Sequence, residues 1–289
     1  MFPSEQQDSY AYLPDELLEN VLEDAPDLAS KVQEAYERLA GNREAIRQSF
    51  VTNGLILRAA DLEPVQIPSV AAVDGGLAIE KSIGADIVLV AAVGVEGFVR
   101  EDNRQWNSVQ YRHWKEVLAH EGENIRSFAL GVMASLELEI ATQAPHDVII
   151  FDGSHVTPII GLNSMLSMKL ESLAPSAAEI LAHHRVIRAL TDFFTKHNIV
   201  SVVKYDASRE LSQTWLENEG VIFDDRTLMT MLLEPGEYSL PVAAAQTPER
   251  QEQWRELHII IGYQNFPNKE AVLRQLEQAI RPIKQGQIY

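Results

Sequence analysis

The sequence contains no cysteine, which excludes disulfides and thiolate metal sites. It has no run of about 18 uninterrupted apolar residues, so no membrane-spanning helix and no membrane partner are expected. The opening segment Met1-Phe2-Pro3-Ser4-Glu5-Gln6-Gln7-Asp8 has neither the basic nor the apolar region of a signal peptide. These absences point to a cytoplasmic chain. The phosphate-binding pattern Gly-x4-Gly-Lys-Ser/Thr is missing, which argues against a P-loop ATPase, and no Gly-x-Gly-x-x-Gly follows a strand to support nicotinamide or flavin binding. Basic residues are scarce: 24 Lys and Arg stand against 42 Asp and Glu, for a net charge of −18. A protein that grips nucleic acid alone usually shows a basic face and gains affinity by counterion release. Here the substrate is not nucleic acid, or a partner helps to hold it, or the basic residues cluster. Net charge does not choose among these.

The chain does have 289 residues, 46% of them hydrophobic, enough for a large core in one large domain or in one domain with an appendage. Two short apolar runs each reach Asp-Gly: Val70-Ala71-Ala72-Val73 before Asp74-Gly75-Gly76, and Val148-Ile149-Ile150-Phe151 before Asp152-Gly153-Ser154. An acid at the carboxyl end of a buried strand sits where ligands of open α/β sheets collect. Asp-Gly is also a common way to leave a strand, because Asp caps turns and Gly takes positive φ. Two instances on similar strands shift the reading toward chemistry.

Around these runs the pattern is readable in outline. Residues 1 to about 63 read as helical, over Asp15 to Asp24 and Asp27 to Ala60, with Leu28, Val32, Ala35, Tyr36 and Leu39 at three- and four-residue spacing. We take residues 1–65 as an N-terminal helical extension packing on the main domain or on a second subunit, and 66–289 as the main domain. Strands are expected at Ser69 to Val73 and Ile87 to Val95. Residues 98 to 112 form a polar connection whose Arg100, Arg104, Trp106, Tyr111 and Arg112 either touch nucleic acid or, as is more usual, pack back on the surface.

From Arg112 to Gln143 the period is helical, with Ile125, Phe128, Ala129, Val132, Leu136 and Ile140 as one stripe flanked by Glu137 and Glu139. The strand to Asp152 follows, then a helix from Ser176 to His197, which includes His183 and His184. A strand over Val200 to Val203 ends at Lys204, and helices are expected at Ser208 to Asn218 and Asp225 to Leu233. A turn at Pro235-Gly236-Glu237, a strand at Leu257 to Tyr263 and a helix at Asn268 to Ile280 complete the pattern.

The order is informative: a strand with Asp74, another strand, a helix with Glu137 or Glu139, then a strand with Asp152. Ribonuclease-H-like nucleases place their metal-binding acids in a similar order. Two Mg²⁺ or Mn²⁺ ions about 4 Å apart activate water and steady the leaving oxygen of a phosphodiester, and hard cations want oxygen ligands.

At these residues the chain resembles a known family. Val70 to Gly76 and Val148 to Ser154 look like the two aspartate motifs of NurA-domain nucleases. Val202-Val203-Lys204 followed by Asp206-Ala207-Ser208-Arg209 resembles that family's later lysine-bearing strand, and Asp225 through Leu232-Leu233-Glu234-Pro235-Gly236-Glu237 its helix and Pro-Gly turn.

The resemblance implies an α/β fold with a ribonuclease-H-like mixed central sheet flanked by helices. It implies a Mn²⁺- or Mg²⁺-dependent deoxyribonuclease acting at DNA ends, a homodimer working with a HerA-type hexameric ATPase in DNA end processing, repair or phage defence. The catalytic residues implied are Asp74, Glu137, Asp152 and Lys204. The metal ligands are Asp74 and Asp152 with a third carboxylate from the helix. Glu137 fits the family pattern better and Glu139 lies nearer the apolar stripe, so both stay open. Lys204 would contact the scissile phosphate, Asp206 or Arg209 would support it, and Ser154 would orient Asp152.

The family pattern continues into a tyrosine-proline segment and a C-terminal histidine. This sequence ends at Gln287-Ile288-Tyr289, and His258 is the nearest histidine. That departure and the negative charge support an alternative, a non-catalytic nuclease-fold subunit that docks to the ATPase. A third reading, an actin-like phosphotransferase, would use the Asp-Gly ends to handle ATP phosphates.

Overall fold

The structure, a computed structural model, describes residues 14–97, 104–166, 173–204, 209–216 and 223–240, together with Arg274 and Gln278. Contacts group the chain into two units, Met1–Leu62 with Asp206–Leu240, and Glu63–Tyr205 with Pro241–Tyr289. The sequence pattern places residues 206–240 with the main domain, whereas the contacts group them with the N-terminal segment.

In the first unit, helix α1 (Asp15–Thr52) is 38 residues long and continues through Pro26. The pattern predicts a break there and helix onward to Ala60. Strong helix formers on both sides of Pro26 carry the helix across the lost N–H. It stops at Asn53-Gly54, where Gly54 takes φ +70° and its N–H donates to the Val51 carbonyl. Ile56–Arg58 is then a strand, β1, paired antiparallel with the last described strand, β7 (Glu237–Ser239).

The unit's core is Leu39, Ile46 and Phe50 of α1 with Ile56 and residues of α6 (Glu210–Leu216) and α7 (Asp225–Leu232), chiefly Leu216, Leu228 and Leu232. Asp224 caps α7 by accepting the Thr227 N–H at 2.7 Å. The Arg47 guanidinium forks onto both Glu237 oxygens, at 2.7 and 2.6 Å, and onto the Leu232 carbonyl at 2.7 Å, tying α1 to β7 and to the end of α7.

The second unit is built on a five-stranded sheet in the order β4-β3-β2-β5-β6. The strands are β2 (Val70–Lys81), β3 (Asp86–Gly97), β4 (Gln110–Leu118), β5 (Val148–Asp152) and β6 (Ile199–Val202). The first three form an antiparallel meander, and β5 and β6 run parallel to β2. This is the mixed central sheet, with packed helices, that the sequence predicts.

Two elements differ from expectation. β2 does not end at Asp74 but passes through Gly75 and Gly76 to Lys81, because β3 hydrogen-bonds it along its whole length, down to Lys81 opposite Asp86. Gln110–Leu118, expected to end a polar connection and, from Arg112, to open a helix, is an edge strand, with exposure alternating along it and Trp114 packed edge-on against Phe128 at 5.4 Å.

Helix α2 (Glu123–Gln143) lies on the sheet, and all six residues of the predicted stripe are buried. Ala134, Leu138 and Ala141 are buried as well, since α3 (Thr157–Leu166) and α5 (Val186–Thr195) also pack on α2. The single helix expected from Ser176 to His197 is two, α4 (Ala174–His183) and α5, broken at Arg185, whose φ of +48° is left-handed. Phe193 of α5 meets Phe151 of β5 edge-on at 4.9 Å.

The strand expected at 257–263 lies outside the described residues, as does most of the helix expected at 268–280, of which Arg274 and Gln278 are helical. Among the described residues, no helix is long and apolar enough to cross a membrane.

Candidate metal centre

β2 and β5 pair in parallel from Val70–Val148 to Val73–Phe151, and there the pairing stops. Val73 and Phe151 are buried in the core. Strand alternation therefore turns the next residues, Asp74 and Asp152, to the opposite face at the same level. Gly153, at φ +98°, then lifts the chain away from the sheet, and its N–H donates to the Val202 carbonyl at 2.9 Å. β6 ends beside Asp152, and two residues later Lys204 places its Nζ 2.7 Å from Asp152 Oδ2 and 4.0 Å from Asp74 Oδ2. Three separate strands thus deliver two acids and one base to a single point.

The carboxyls of Asp74 and Asp152 lie within hydrogen-bonding reach of each other and interact through charge as well. Burial, hydrogen bonding with Asp152 and the charge of Asp152 raise the pKa of Asp74. Burial works against Asp152 too, but the hydrogen bonds from Lys204 and Asp74 outweigh it and lower its pKa. The two shifts are opposite in direction, as expected when two like charges compete for one place.

Glu137 comes from the opposite face of the sheet. It is buried on α2, and its carboxylate accepts the N–H of Gly75. Glycine is needed there: a methyl group at Gly75 would lie 2.5 Å from Glu137 Oε1 and 2.7 Å from Met133 Cγ. Burial, then the charges of Asp74 and Asp152, push the Glu137 carboxyl up to about 8. The site is therefore short of positive charge. Among the described residues, no three His, Cys, Asp or Glu side chains converge closely enough to hold a metal as they stand. Asp74 and Asp152 form a close pair, and Glu137 is coupled to them through charge.

Glu139, two residues along α2, faces elsewhere. Its Oε1 accepts from Arg112 Nε of β4 at 2.8 Å and its Oε2 pairs with His184 Nδ1 at the α4–α5 junction. Burial disfavours its charge, but Arg112 and His184 prevail and lower its pKa. Sequence reasoning missed this network, which joins residues 27 and 45 positions apart. The adjacent histidines were its only local sign.

Other candidates have ordinary roles in the structure. The Ser154 N–H donates to Thr157 Oγ1 at 3.0 Å, and its hydroxyl also meets Thr157. The His155 ring packs 5.2 Å from that of Phe193, and burial lowers its pKa. Trp106 turns inward, edge-on to His146 at 4.5 Å, while Glu96 holds His146 at 2.7 Å and accepts the N–H groups of Gln105 and Trp106. Arg104 and Tyr111 are exposed. Arg100, Asp206 and His258 lie outside the described residues.

The NurA domain family model matches residues 68–279 of the chain. No curated protein matches it. Among solved structures, the NurA nuclease from Sulfolobus solfataricus aligns with 16% identity and a TM-score of 0.47, over 77% of this chain and 68% of that one. A NurA bound to dAMP and manganese aligns with 14% identity and a TM-score of 0.32, over 86% and 64%. A NurA with manganese aligns with 12% identity and a TM-score of 0.35, over 91% and 63%. The chain thus spans less than two thirds of the length of the last two proteins.

Proposed function

Because this chain belongs to the NurA domain family, matched over residues 68–279, we propose that it is a metal-dependent deoxyribonuclease hydrolysing phosphodiester bonds at DNA ends. The observation that carries the reading is the pairing of Asp74 with Asp152, with the Lys204 ammonium 2.7 Å from Asp152.

The donor set fits a hard divalent cation. It is all oxygen, drawn from Asp74, Asp152 and Glu137, and the Glu137 carboxyl, pushed up to about 8, and the raised pKa of Asp74 mark a place short of positive charge. We assign these three carboxylates as the holders of Mn²⁺ or Mg²⁺, the former named with two of the solved NurA structures. Glu139 is the less favoured third ligand, because Arg112 and His184 already engage it. Bound there, the cation supplies Lewis-acid charge for an attacking water and a leaving oxygen. Lys204, released from the aspartates, is placed to contact the scissile phosphate. The Gly75 N–H orients Glu137, and Gly153, at φ +98°, makes the turn that follows Asp152.

In this proposal the protein is a cytoplasmic homodimer acting with a HerA-type hexameric ATPase in DNA repair or phage defence. The ATPase supplies DNA contacts that a chain of net charge −18 lacks.

The test is a Mn²⁺ titration of the purified protein on end-labelled DNA, with Asp74→Asn and Asp152→Asn in parallel. Cleavage that needs the metal, stops with chelator and is lost in both variants is the expected result. Equal cleavage by wild type and both variants overturns the assignment. Complex formation with the ATPase and no cleavage by either protein, alone or together, returns the docking-subunit reading.

A further inference from the structure

Across the sheet of the second unit, Asp74 stands opposite Val93 of β3, and Val93 stands opposite Tyr111 of β4. Cross-strand partners point the same way, so the three share one row and one face, the face away from α2. His113, opposite Ala91, and Lys115, opposite Leu89, follow Tyr111 on the same face of β4. This face is open. Tyr111 is 64% exposed, and His113, Lys115, Val93 and Leu89 are exposed as well. The rings of Tyr111 and His113 lie nearly parallel, 26° apart in plane, with centroids 6.4 Å apart. They stand on the outermost strand of the sheet, at its rim.

The chemistry of this patch selects its occupant. In a chain of net charge −18, the face formed by Val93, Ala91 and Leu89 of β3 with Tyr111, His113 and Lys115 of β4 carries no carboxylate. It therefore offers no acid to a metal, and a single ammonium to a phosphate. Two rings beside an apolar floor suit a flat, uncharged π face, which every nucleobase has. Stacking needs no counterion release, so it lets a chain poor in basic residues hold DNA. It also needs a base that has left its duplex, because paired bases are already stacked on their neighbours. Two interstrand spacings, about 10 Å, separate the backbone of Tyr111 from that of Asp74. That is the span of about three stacked nucleotides, at about 3.4 Å each.

We propose that Tyr111 and His113 form a stacking platform for an unpaired base of the DNA strand whose phosphate lies at Asp74 and Asp152. The inference rests on the nuclease reading and names substrate-binding residues for it. The rings hold the strand a few nucleotides from the bond that breaks and take no part in hydrolysis.

The test measures binding apart from cleavage. Fluorescence anisotropy in chelator compares the full chain's affinity for a labelled single-stranded oligothymidine and for an abasic oligomer of the same length. Wild type is expected to prefer the base-bearing oligomer by at least about tenfold. Tyr111→Ala and His113→Ala should each remove most of that preference and leave abasic binding unchanged, while Tyr111→Phe keeps it. Both side chains are exposed, so neither truncation opens a core cavity. With Mn²⁺, Tyr111→Ala is expected to raise KM for single-stranded DNA about tenfold, with kcat within about twofold. A wild type with no preference for bases, alanine variants that keep the preference, or variants that lose both oligomers equally overturn the proposal. A changed oligomeric state in Tyr111→Ala with the preference intact gives this face to a second copy and overturns it too. Binding as expected without cleavage supports the platform and defeats the nuclease reading alone; cleavage with KM unmoved by Tyr111→Ala defeats the platform alone.

Discussion

Asp74 and Asp152 stand side by side on parallel strands, each one residue past the register pair Val73–Phe151, and lie within hydrogen-bonding reach of each other under the Lys204 ammonium. Each comes from a different strand, so the pair exists only when the sheet is assembled. Its electrostatics lead directly to measurable consequences.

In the proposed site, Lys204 competes with the divalent cation for the oxygens of Asp152 and Asp74. Lys204→Met is expected to lower the maximal cleavage rate about ten- to a hundredfold, because the phosphate loses its contact. It is also expected to lower the Mn²⁺ concentration needed for half-maximal activity, because the aspartates lose their internal counter-charge. A metal titration reads both. A rate loss with a higher metal requirement would assign Lys204 to holding the acids in place.

Glu137 and Glu139 separate cleanly by substitution. Glu137→Gln removes a carboxylate coupled to the aspartate pair and is expected to cut cleavage at least about a hundredfold. Glu139→Gln disturbs the Arg112 and His184 contacts instead, with an expected stability loss of about 1–3 kcal/mol and cleavage within about tenfold of wild type. Thermal melts alongside initial rates distinguish them, and the reverse pattern would exchange the two roles.

Gly75→Ala places a methyl group against Glu137 and Met133. Overpacking of this kind costs about 1–3 kcal/mol, and displacing Glu137 is expected to reduce cleavage more than stability. Gly76→Ala, where nothing lies within 4 Å of the added carbon, serves as the control and should leave both nearly unchanged.

The Arg47–Glu237 fork governs acid stability of the first unit. Its hydrogen bond with Arg47, and then the Glu234 N–H, hold the Glu237 carboxyl at about 2, below its ordinary value of 4.5. A depressed folded-state pKa gives stability that is complete above the ordinary glutamate range and is lost as pH falls through about 2. Melting temperatures measured from pH 6 to pH 2 should therefore fall more steeply in wild type than in Glu237→Gln, which should melt lower at pH 6. Identical slopes would remove the pair from the acid response.

Much of the second unit was legible because burial imposes a period. The stripe from Ile125 to Ile140 announces α2, and the run Val148–Phe151 announces β5. Asp152 and Lys204 could be placed at strand ends for the same reason. β4 was illegible since an edge strand with Tyr111, His113 and Lys115 on its outer face carries too little apolar alternation. The length of β2 was hidden by Asp74-Gly75-Gly76, which reads locally as a turn but is overridden by pairing with β3. The ribbon of β1 and β7 is three residues per strand, too short to leave a pattern. The contacts of Glu139 depend on distant chain segments that no local spacing encodes.

The run of β2 beyond the end of β5 has a mechanical implication. Asp74 is anchored mid-ladder, with eleven neighbours along its own strand stitched to β3. Its position is thus inherited from the scaffold's stiffness, while Gly153 and Lys204 sit on the segments just past the ends of β5 and β6. Evolution or design could retune what is gripped around this acid by rewriting those segments, and the fixed point would stay where it is.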